Sequence, residues 1–308
     1  MHMAEAKYLS DPQLRGRLMP NEPMHRHVTW RTGGAADRAY VPADLDDAAH
    51  FLRGLPADEP VHFIGLGSNL LVRDGGIRGT VVLMHASHAL MHVDGELIYA
   101  EARAASPKLA RYAATHGRAG AEFLAGIPGT VGGALAMNAG CYGRETWDAV
   151  QRVLMLTRDG ELRQRQPAEF DVAYRHVALR SGTLGADEWF AAAWFRFERG
   201  DGEAARRRIK ELLQQRIGTQ PLALPNAGSV FRNPPGDHAA RLIEACGLKG
   251  HAIGGARVSE KHANFIVNPG GHASAADIEN LIGHVRATVL AKQGVELVAE
   301  VRILGEKE

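Results

Sequence analysis

The chain has 308 residues, of which 45% are hydrophobic, and it carries 36 Lys and Arg against 35 Asp and Glu. This length suits about two domains with ordinary hydrophobic cores. The net charge of +1 provides no overall attraction to nucleic acid or to an anionic membrane surface, so neither is expected as a partner. No signal peptide and no apolar run long enough for membrane insertion is recognisable, and the two cysteines show no redox or metal spacing, so we expect a cytoplasmic protein.

In chain order, the N-terminal part alternates strand and helix signals. Asp44 is expected to cap a helix with apolar positions from Leu45 to Leu52, and Ser106 to cap a second helix that ends before Gly117. A turn signal at 158–160 between two strands predicts a hairpin. The strands expected in this part are 61–65, 80–84, 96–102, 150–157, 161–165 and 189–198.

The C-terminal part follows a linker candidate, residues 200–202, and is richer in helix signals. Helices are expected over 203–217, 239–246 and, after the cap residue Ser274, up to about Lys292. Strands are expected at 264–267 and 295–304. The pattern predicts an α+β fold with two domains, 1–200 and 201–308, the first divided into subdomains of about 1–84 and 85–200.

Two runs of charged or ligand-type side chains are interpreted as ordinary surface. In the basic run Arg206–Lys210, Ile209 belongs to the apolar stripe of the predicted helix and the arginines lie off it, which is typical of a solvated face and not of a nucleic-acid site. His85, His88 and His92 have helical spacing but no carboxylate or cysteine nearby. No metal is therefore predicted.

Two glycine-rich turns are the most informative feature of the chain. Gly126–Gly140, with the sequence GIPGTVGGALAMNAG, contains five glycines, and Gly65–Leu70, GLGSNL, follows a predicted strand. Missing β-carbons allow main-chain N–H groups to approach an anionic ligand closely. Neither turn matches the dinucleotide fingerprint or the phosphate loop of ATPases, so together they suit a long cofactor that contains a pyrophosphate. A glycine-rich surface loop is the alternative.

Three side chains are candidates for catalysis, each with an ordinary structural alternative. Ser229, in the segment AGSVFRNP, could donate a proton to a reacting centre, or it could simply bond its own backbone in a turn. Arg175, after Tyr174, could stabilise an oxyanion or be a surface arginine. Glu300 points away from the apolar face of the predicted strand 295–304, and thus either to solvent or to a cleft between lobes.

Together these blocks resemble the UDP-N-acetylenolpyruvoylglucosamine reductase family, flavoenzymes of bacterial peptidoglycan precursor synthesis. The resemblance covers nearly the whole chain and implies a two-subdomain FAD-binding region of the vanillyl-alcohol-oxidase (PCMH) type with a smaller α+β C-terminal substrate domain. The blocks that carry it are 29–34, 65–72, 126–140, 174–175, 220–221, 227–234, 262–268 and 300–305.

The resemblance also implies a reaction and a set of site residues. In this family NADPH reduces FAD, which then reduces UDP-N-acetylglucosamine enolpyruvate to the lactyl ether, UDP-N-acetylmuramate. Ser229 matches the proton donor to C2 of the substrate, Arg175 and Glu300 match the residues that polarise it, and Tyr174 and Asn233 match substrate-binding positions. The positions that match FAD-binding residues are Gly65, Leu66, Gly67, Ser68, Asn69, Leu70, Ile127, Pro128, Gly129, Thr130, Gly132, Gly133, Asn138 and Gly140. A monomer is expected.

The chain departs from the family pattern at two points. The family usually has Tyr-Arg-X-Ser, whereas Arg175 is followed by His176 and Val177. The interval from Arg175 to Ser229 is also short, which indicates the subtype without an extra tyrosine-bearing loop. Two alternatives stay open: a flavin oxidase of the same fold that acts on another small alcohol or sugar, and a non-catalytic nucleotide-sugar-binding module.

Overall fold

A computed structural model of the protein describes residues 11–86 and 88–308, which form an α+β fold. Helix ends agree with local sequence signals, because Asp44 and Ser274 accept main-chain hydrogen bonds from Asp47 and Asp277 at the start of the first and last helix. The α-helices are α1 (Leu45–Gly54), α2 (Ser106–Thr115), α3 (Val131–Ala136), α4 (Gly202–Thr219), α5 (Ala239–Ala245) and α6 (Ala275–Gln293).

The strands are mostly short, and several consist of two or three residues. They are β1 (Arg17–Pro23), β2 (Ala35–Val41), β3 (Val61–Ile64), β4 (Leu70–Val72), β5 (Ile77–Leu83), β6 (Met91–Asp94), β7 (Leu97–Glu101), β8 (Arg118–Ala119), β9 (Gly140–Cys141), β10 (Arg144–Glu145), β11 (Val150–Thr157), β12 (Leu162–Arg165), β13 (Phe170–Ala173), β14 (His176–Leu179), β15 (Glu188–Arg196), β16 (Glu198–Arg199), β17 (Ala252–Ile253), β18 (Ala256–Val258), β19 (Ile266–Val267) and β20 (Arg302–Leu304).

Two larger sheets organise the N-terminal part of the chain. One has the strand order β1-β2-β5-β3, in which β3 and β5 are parallel, and the other has the antiparallel order β12-β11-β15-β7-β6. In the C-terminal part, β17, β18 and β19 form a small antiparallel sheet, and β20 pairs in parallel with β4. The predicted hairpin is confirmed by the pairing of β11 with β12 around residues 158–160.

The chain divides into two compact units, each with its own core. Unit 1 comprises the described residues of Met1–Pro20, Arg38–Gly65 and Gly79–Leu213, and unit 2 comprises Asn21–Asp37, Leu66–Arg78 and Gln214–Glu308. The core of unit 2 gathers side chains from β4, α5 and α6 around Trp30. The division expected from the sequence at the 200–202 segment stays a prediction.

Two local predictions are wrong. Ser106 is not the cap of α2, because Ala105 occupies that position and the Ser106 main-chain N–H donates to Gly129 instead (2.9 Å). Of the predicted strand 295–304, only β20 is a strand. The preceding residues pair only with the 230–232 segment, through one isolated bridge between Ala299 and Phe231 that includes the 2.9 Å bond from the Arg232 N–H to the Val298 carbonyl, so no longer ladder forms.

Candidate functional site

The second glycine turn is a loop that leads into α3. Thr130 caps this helix, its Oγ1 accepting from the Gly133 N–H at 3.3 Å. The N–H groups of Val131 and Gly132 donate to the carbonyls of Ala104 and Ala102, both at 2.8 Å. A β-carbon on Gly132 would come within 2.9 Å of the Ala102 Cβ, so close packing requires glycine there.

The two glycine turns meet within unit 1. A β-carbon placed on Gly65 would come within 2.5 Å of Thr130 Oγ1, which leaves no room for a side chain at that position. The N–H groups of Gly129 and Thr130 have no hydrogen-bond acceptor among residues 11–86 and 88–308. These two N–H groups, next to a helix N-terminus, can therefore bind a ligand anion.

The rest of the first glycine turn belongs to unit 2. Gly67 has a φ of +60°, and a β-carbon on it would come within 2.1 Å of the His27 carbonyl. Its own carbonyl accepts from the Thr29 N–H (3.2 Å) and from Thr29 Oγ1 (3.3 Å). Within the described part of the chain, the N–H groups of residues 66–69 have no acceptor, so this turn too presents main-chain donors.

Ser229 and Glu300 are brought together in unit 2, next to the first glycine turn. The Glu300 N–H donates to the carbonyl of Val230 (2.7 Å), and the Asn69 side-chain amide donates to the carbonyl of Glu300 (3.1 Å). Val230 is fixed in turn by its N–H, which donates to the Asn264 carbonyl (2.9 Å). Glu300 is half-buried, so the simple alternative of full solvent exposure is wrong.

Ser229 is not a self-bonded turn serine. The turn before it is closed by Asn226, whose Oδ1 accepts from the Gly228 N–H (2.9 Å), and Gly228 has a φ of +75°. The Ser229 hydroxyl makes no hydrogen bond to any residue that the structure describes, and the side chain is half-buried. The hydroxyl is therefore held on an ordered segment and is not committed to any described residue.

Arg175 lies in unit 1, at the tip of the hairpin formed by β13 and β14. It has a φ of +55°, a left-handed conformation that costs a non-glycine residue about 1–2 kcal/mol. Its Nη2 donates to the carbonyl of Gly140 in the second glycine turn (3.3 Å), and its guanidinium lies 5.4 Å from the ring centre of Tyr174. A strained arginine held against a glycine-rich loop is typical of a functional position.

Other predicted site residues have structural contacts of their own. The Asn138 amide donates to Glu145 (2.7 Å) and to the Ala173 carbonyl (3.2 Å), and its oxygen accepts from the Trp147 N–H. Its main-chain N–H donates to the Leu135 carbonyl (3.3 Å), so the side chain and the N–H of Asn138 are both bonded within the protein. Asn233 Oδ1 accepts from the Ala239 N–H (3.1 Å) at the start of α5. No cluster of three potential metal ligands, and no helix long and apolar enough to cross a membrane, occurs within the described ranges.

Comparisons with known proteins agree on one family. A family model described as the UDP-N-acetylenolpyruvoylglucosamine reductase C-terminal domain matches residues 220–304, and an FAD binding domain model matches 36–165. A protein of that name from Thiobacillus denitrificans is 60% identical and covers 96% of this chain and 95% of its own length; one from Legionella pneumophila is 53% identical, covering 95% and 94%. The crystal structure of the reductase from Thermus caldophilus aligns with a TM-score of 0.77 and 30% identity over 94% of this chain and 99% of that one.

The chain belongs to the UDP-N-acetylenolpyruvoylglucosamine reductase family. The two domain matches and the structural neighbour confirm the predicted fold class, an α+β protein with a PCMH-type FAD-binding region and a C-terminal domain. As a member of this reductase family with an FAD binding domain, the chain is an FAD-dependent oxidoreductase. The glycine turns fit FAD, because they combine free main-chain donors with positions that exclude side chains.

Sequence reasoning missed several residues that support this reductase site. Thr29 holds the first glycine turn, Ala102 and Ala104 hold the second, and Asn264 holds the segment of Ser229. Thr29 and Asn264 lie in blocks that carry the family resemblance, so they could have been examined as supports. Ala102 and Ala104 give no signal of their own, because their role depends only on where their carbonyls lie.

Proposed function

We propose that this chain reduces UDP-N-acetylglucosamine enolpyruvate to UDP-N-acetylmuramate in peptidoglycan precursor synthesis, with NADPH as the electron source. The observation that carries the proposal is the arrangement in unit 2, where the unbonded Ser229 hydroxyl, Glu300 and the first glycine turn are joined by the hydrogen bonds of Val230 and Asn69. FAD, when bound, supplies the hydride for this reduction.

Ser229 is the proposed proton donor to C2 of the enolpyruvyl group. Protonation there needs a donor whose position is fixed and whose proton is not committed to the protein. Both conditions agree with the ordered turn at Asn226–Gly228 and with a hydroxyl that has no partner among the described residues. In this role Ser229 removes the negative charge that builds up at C2.

Arg175 and Glu300 are the proposed residues that polarise the substrate. Arg175 carries a planar cationic guanidinium, which can stabilise a developing enolate and the substrate carboxylate. Glu300 is anchored through its main chain on both sides, by its N–H to Val230 and by its carbonyl to Asn69. These two bonds fix the main chain from which the Glu300 side chain extends, and catalysis requires such fixed positions of its polar groups.

The main chain of the two glycine turns is the proposed FAD site. The predicted positions keep this assignment as a proposal: Gly65, Leu66, Gly67, Ser68, Asn69, Leu70, Ile127, Pro128, Gly129, Thr130, Gly132, Gly133, Asn138 and Gly140. Asn138 differs from the others because its side chain and its main-chain N–H are bonded within the protein. Tyr174, which is 47% exposed, and Asn233 are proposed to contact the nucleotide sugar. We further propose a cytoplasmic monomer of the shorter subtype, with domains 1–200 and 201–308.

The test is an anaerobic half-reaction experiment on the purified holoprotein. NADPH is expected to bleach the flavin absorbance, and the enolpyruvyl nucleotide sugar is then expected to restore it without oxygen. NADH serves as the control for the choice of reductant. Recovery with oxygen only would support a flavin oxidase, and a colourless protein that still binds the nucleotide sugar would support a binding module; either result contradicts the proposal.

A further inference from the structure

A buried ion pair lies beside the second glycine turn in unit 1. Glu101 and Arg103 are joined by a 2.7 Å bond from Arg103 Nε to Glu101 Oε2, and their side chains are only 6% and 9% exposed. Glu101 Oε2 also accepts from the Leu90 N–H (3.0 Å), and Arg103 Nη1 donates to the Ala43 carbonyl (2.6 Å). The pair therefore connects the end of β7 to the segment between β2 and α1.

The main chain of the same segment holds the glycine turn. Residues 101–104 form a turn in which the Ala104 N–H donates to the Glu101 carbonyl (3.0 Å). The carbonyls on either side of Arg103, those of Ala102 and Ala104, accept from the first N–H groups of α3 at 2.8 Å each. One side of this turn is thus fixed by the ion pair, and the other side fixes the N-terminus of α3.

We infer that Glu101 and Arg103 are positioning residues for the FAD site. Because the N–H groups of Val131 and Gly132 are bonded to the 101–104 turn, the free N–H groups of Gly129 and Thr130 are held in one orientation. A buried pair is strongly disturbed when one partner is changed, since a charge then remains without compensation. The inference rests on the proposed placement of FAD at the glycine turns.

A second buried ion pair in unit 1 provides a matched control. Arg165 and Glu188 are also 9% and 6% exposed, and Arg165 Nε donates to Glu188 Oε2 at 2.8 Å. Their further side-chain partners are Glu169 and Arg163, neither of which lies in a glycine turn. Changes to this pair report the cost of disturbing a buried ion pair without disturbing the FAD donors.

The experiment compares Arg103→Lys and Glu101→Gln with Arg165→Lys and Glu188→Gln. A lysine keeps the charge but cannot form both of the hydrogen bonds that the planar Arg103 guanidinium donates to Glu101 and to the Ala43 carbonyl. FAD release is measured on each holoprotein from the recovery of flavin fluorescence on dilution, and stability from urea unfolding followed by far-UV circular dichroism. At equal loss of stability, the Arg103 and Glu101 variants are expected to bind FAD at least about tenfold more weakly than the control variants.

Two outcomes would overturn the inference: equal FAD release from both pairs at equal loss of stability, or wild-type FAD release from the Arg103 and Glu101 variants. Circular dichroism shows whether each variant keeps its fold, and a variant that retained native circular dichroism but lost its flavin during purification would count in favour. Failure of the proposed function can be distinguished from failure of this inference. The proposed function is tested by the half-reactions of the wild-type protein, and this inference by FAD release from the variants.

Discussion

Gly133 is a position at which an alanine substitution should affect FAD binding and the stability of the apoprotein in opposite directions. A β-carbon on Gly133 would meet nothing closer than Thr130 Oγ1 at 3.7 Å, an ordinary contact, and the residue is solvent-exposed in the first turn of α3. Alanine in a helix interior is more stable than glycine by about 0.5–1 kcal/mol. The described protein residues therefore give no reason for glycine at this position, whereas the proposed contact with FAD would give one.

We expect Gly133→Ala to stabilise the protein without FAD and to weaken FAD binding. If the cofactor packs against this bare main chain, the extra methyl group overpacks the contact at a cost of about 1–3 kcal/mol. That cost corresponds to roughly 5- to 150-fold weaker FAD binding. The assay is a fluorescence titration of FAD into apoprotein, alongside urea unfolding of the same apoprotein.

Two alanine substitutions are matched controls for this experiment. Gly283→Ala, in α6, meets no atom within 4 Å, so it is expected to stabilise the protein and leave FAD binding unchanged. Gly132→Ala places a β-carbon 2.9 Å from the Ala102 Cβ, so it is expected to destabilise the apoprotein itself. Unchanged FAD affinity in Gly133→Ala would refute the argument that the loop is bare in order to approach FAD.

Three further predictions concern catalysis and stability. Ser229→Ala is expected to leave flavin reduction by NADPH intact and to slow reoxidation by the nucleotide sugar about 10²- to 10⁴-fold in stopped-flow absorbance; a collapse of both half-reactions would show a structural role instead. Arg175→Gly is expected to change the free energy of unfolding by less than about 1 kcal/mol, because relief of the left-handed conformation offsets the chain entropy of glycine, while substrate reduction is lost; a large loss of stability in urea would contradict this. Hydrogen bonds from Arg73 (2.9 and 3.0 Å) lower the pKa of Glu279 in the folded protein. The stability that Glu279 contributes is therefore present above the pKa of an unfolded glutamate, about 4.3, and is lost as the pH falls from there through the lowered pKa of the folded state. Glu279→Gln should therefore flatten the acid side of a plot of urea midpoint against pH, and an unchanged slope would count against it.

Local signals in the sequence predicted most helices and the larger strands. Asp44 and Ser274 were recognised as caps because their side chains act on residues three positions later, which a sequence window contains. The prediction that Ser106 caps α2 is wrong because Ser106 is bonded to a residue distant in sequence: its N–H donates to the Gly129 carbonyl. The alternation at 295–304 predicts one long strand, but only residues 302–304 pair with a strand, β4, whereas residues 298–301 bond the 230–232 segment, which is distant in sequence.

The candidate site shows the same limit. The glycine turns were visible as composition, but their contact through Gly65 and Thr130 depends on tertiary structure. The proximity of Ser229 and Glu300 could be inferred only through the family resemblance, because 70 intervening residues carry no pairing signal. The buried pair Glu101–Arg103 has no sequence signature, since two oppositely charged residues at this spacing are ordinarily exposed.

The most direct test of the central claim is an experimental structure of the FAD-bound protein. The account predicts that the diphosphate lies within hydrogen-bond distance of main-chain N–H groups of the glycine turns, among them those of Gly129 and Thr130. A diphosphate bound elsewhere, or held by side chains with these N–H groups still unoccupied, would contradict it.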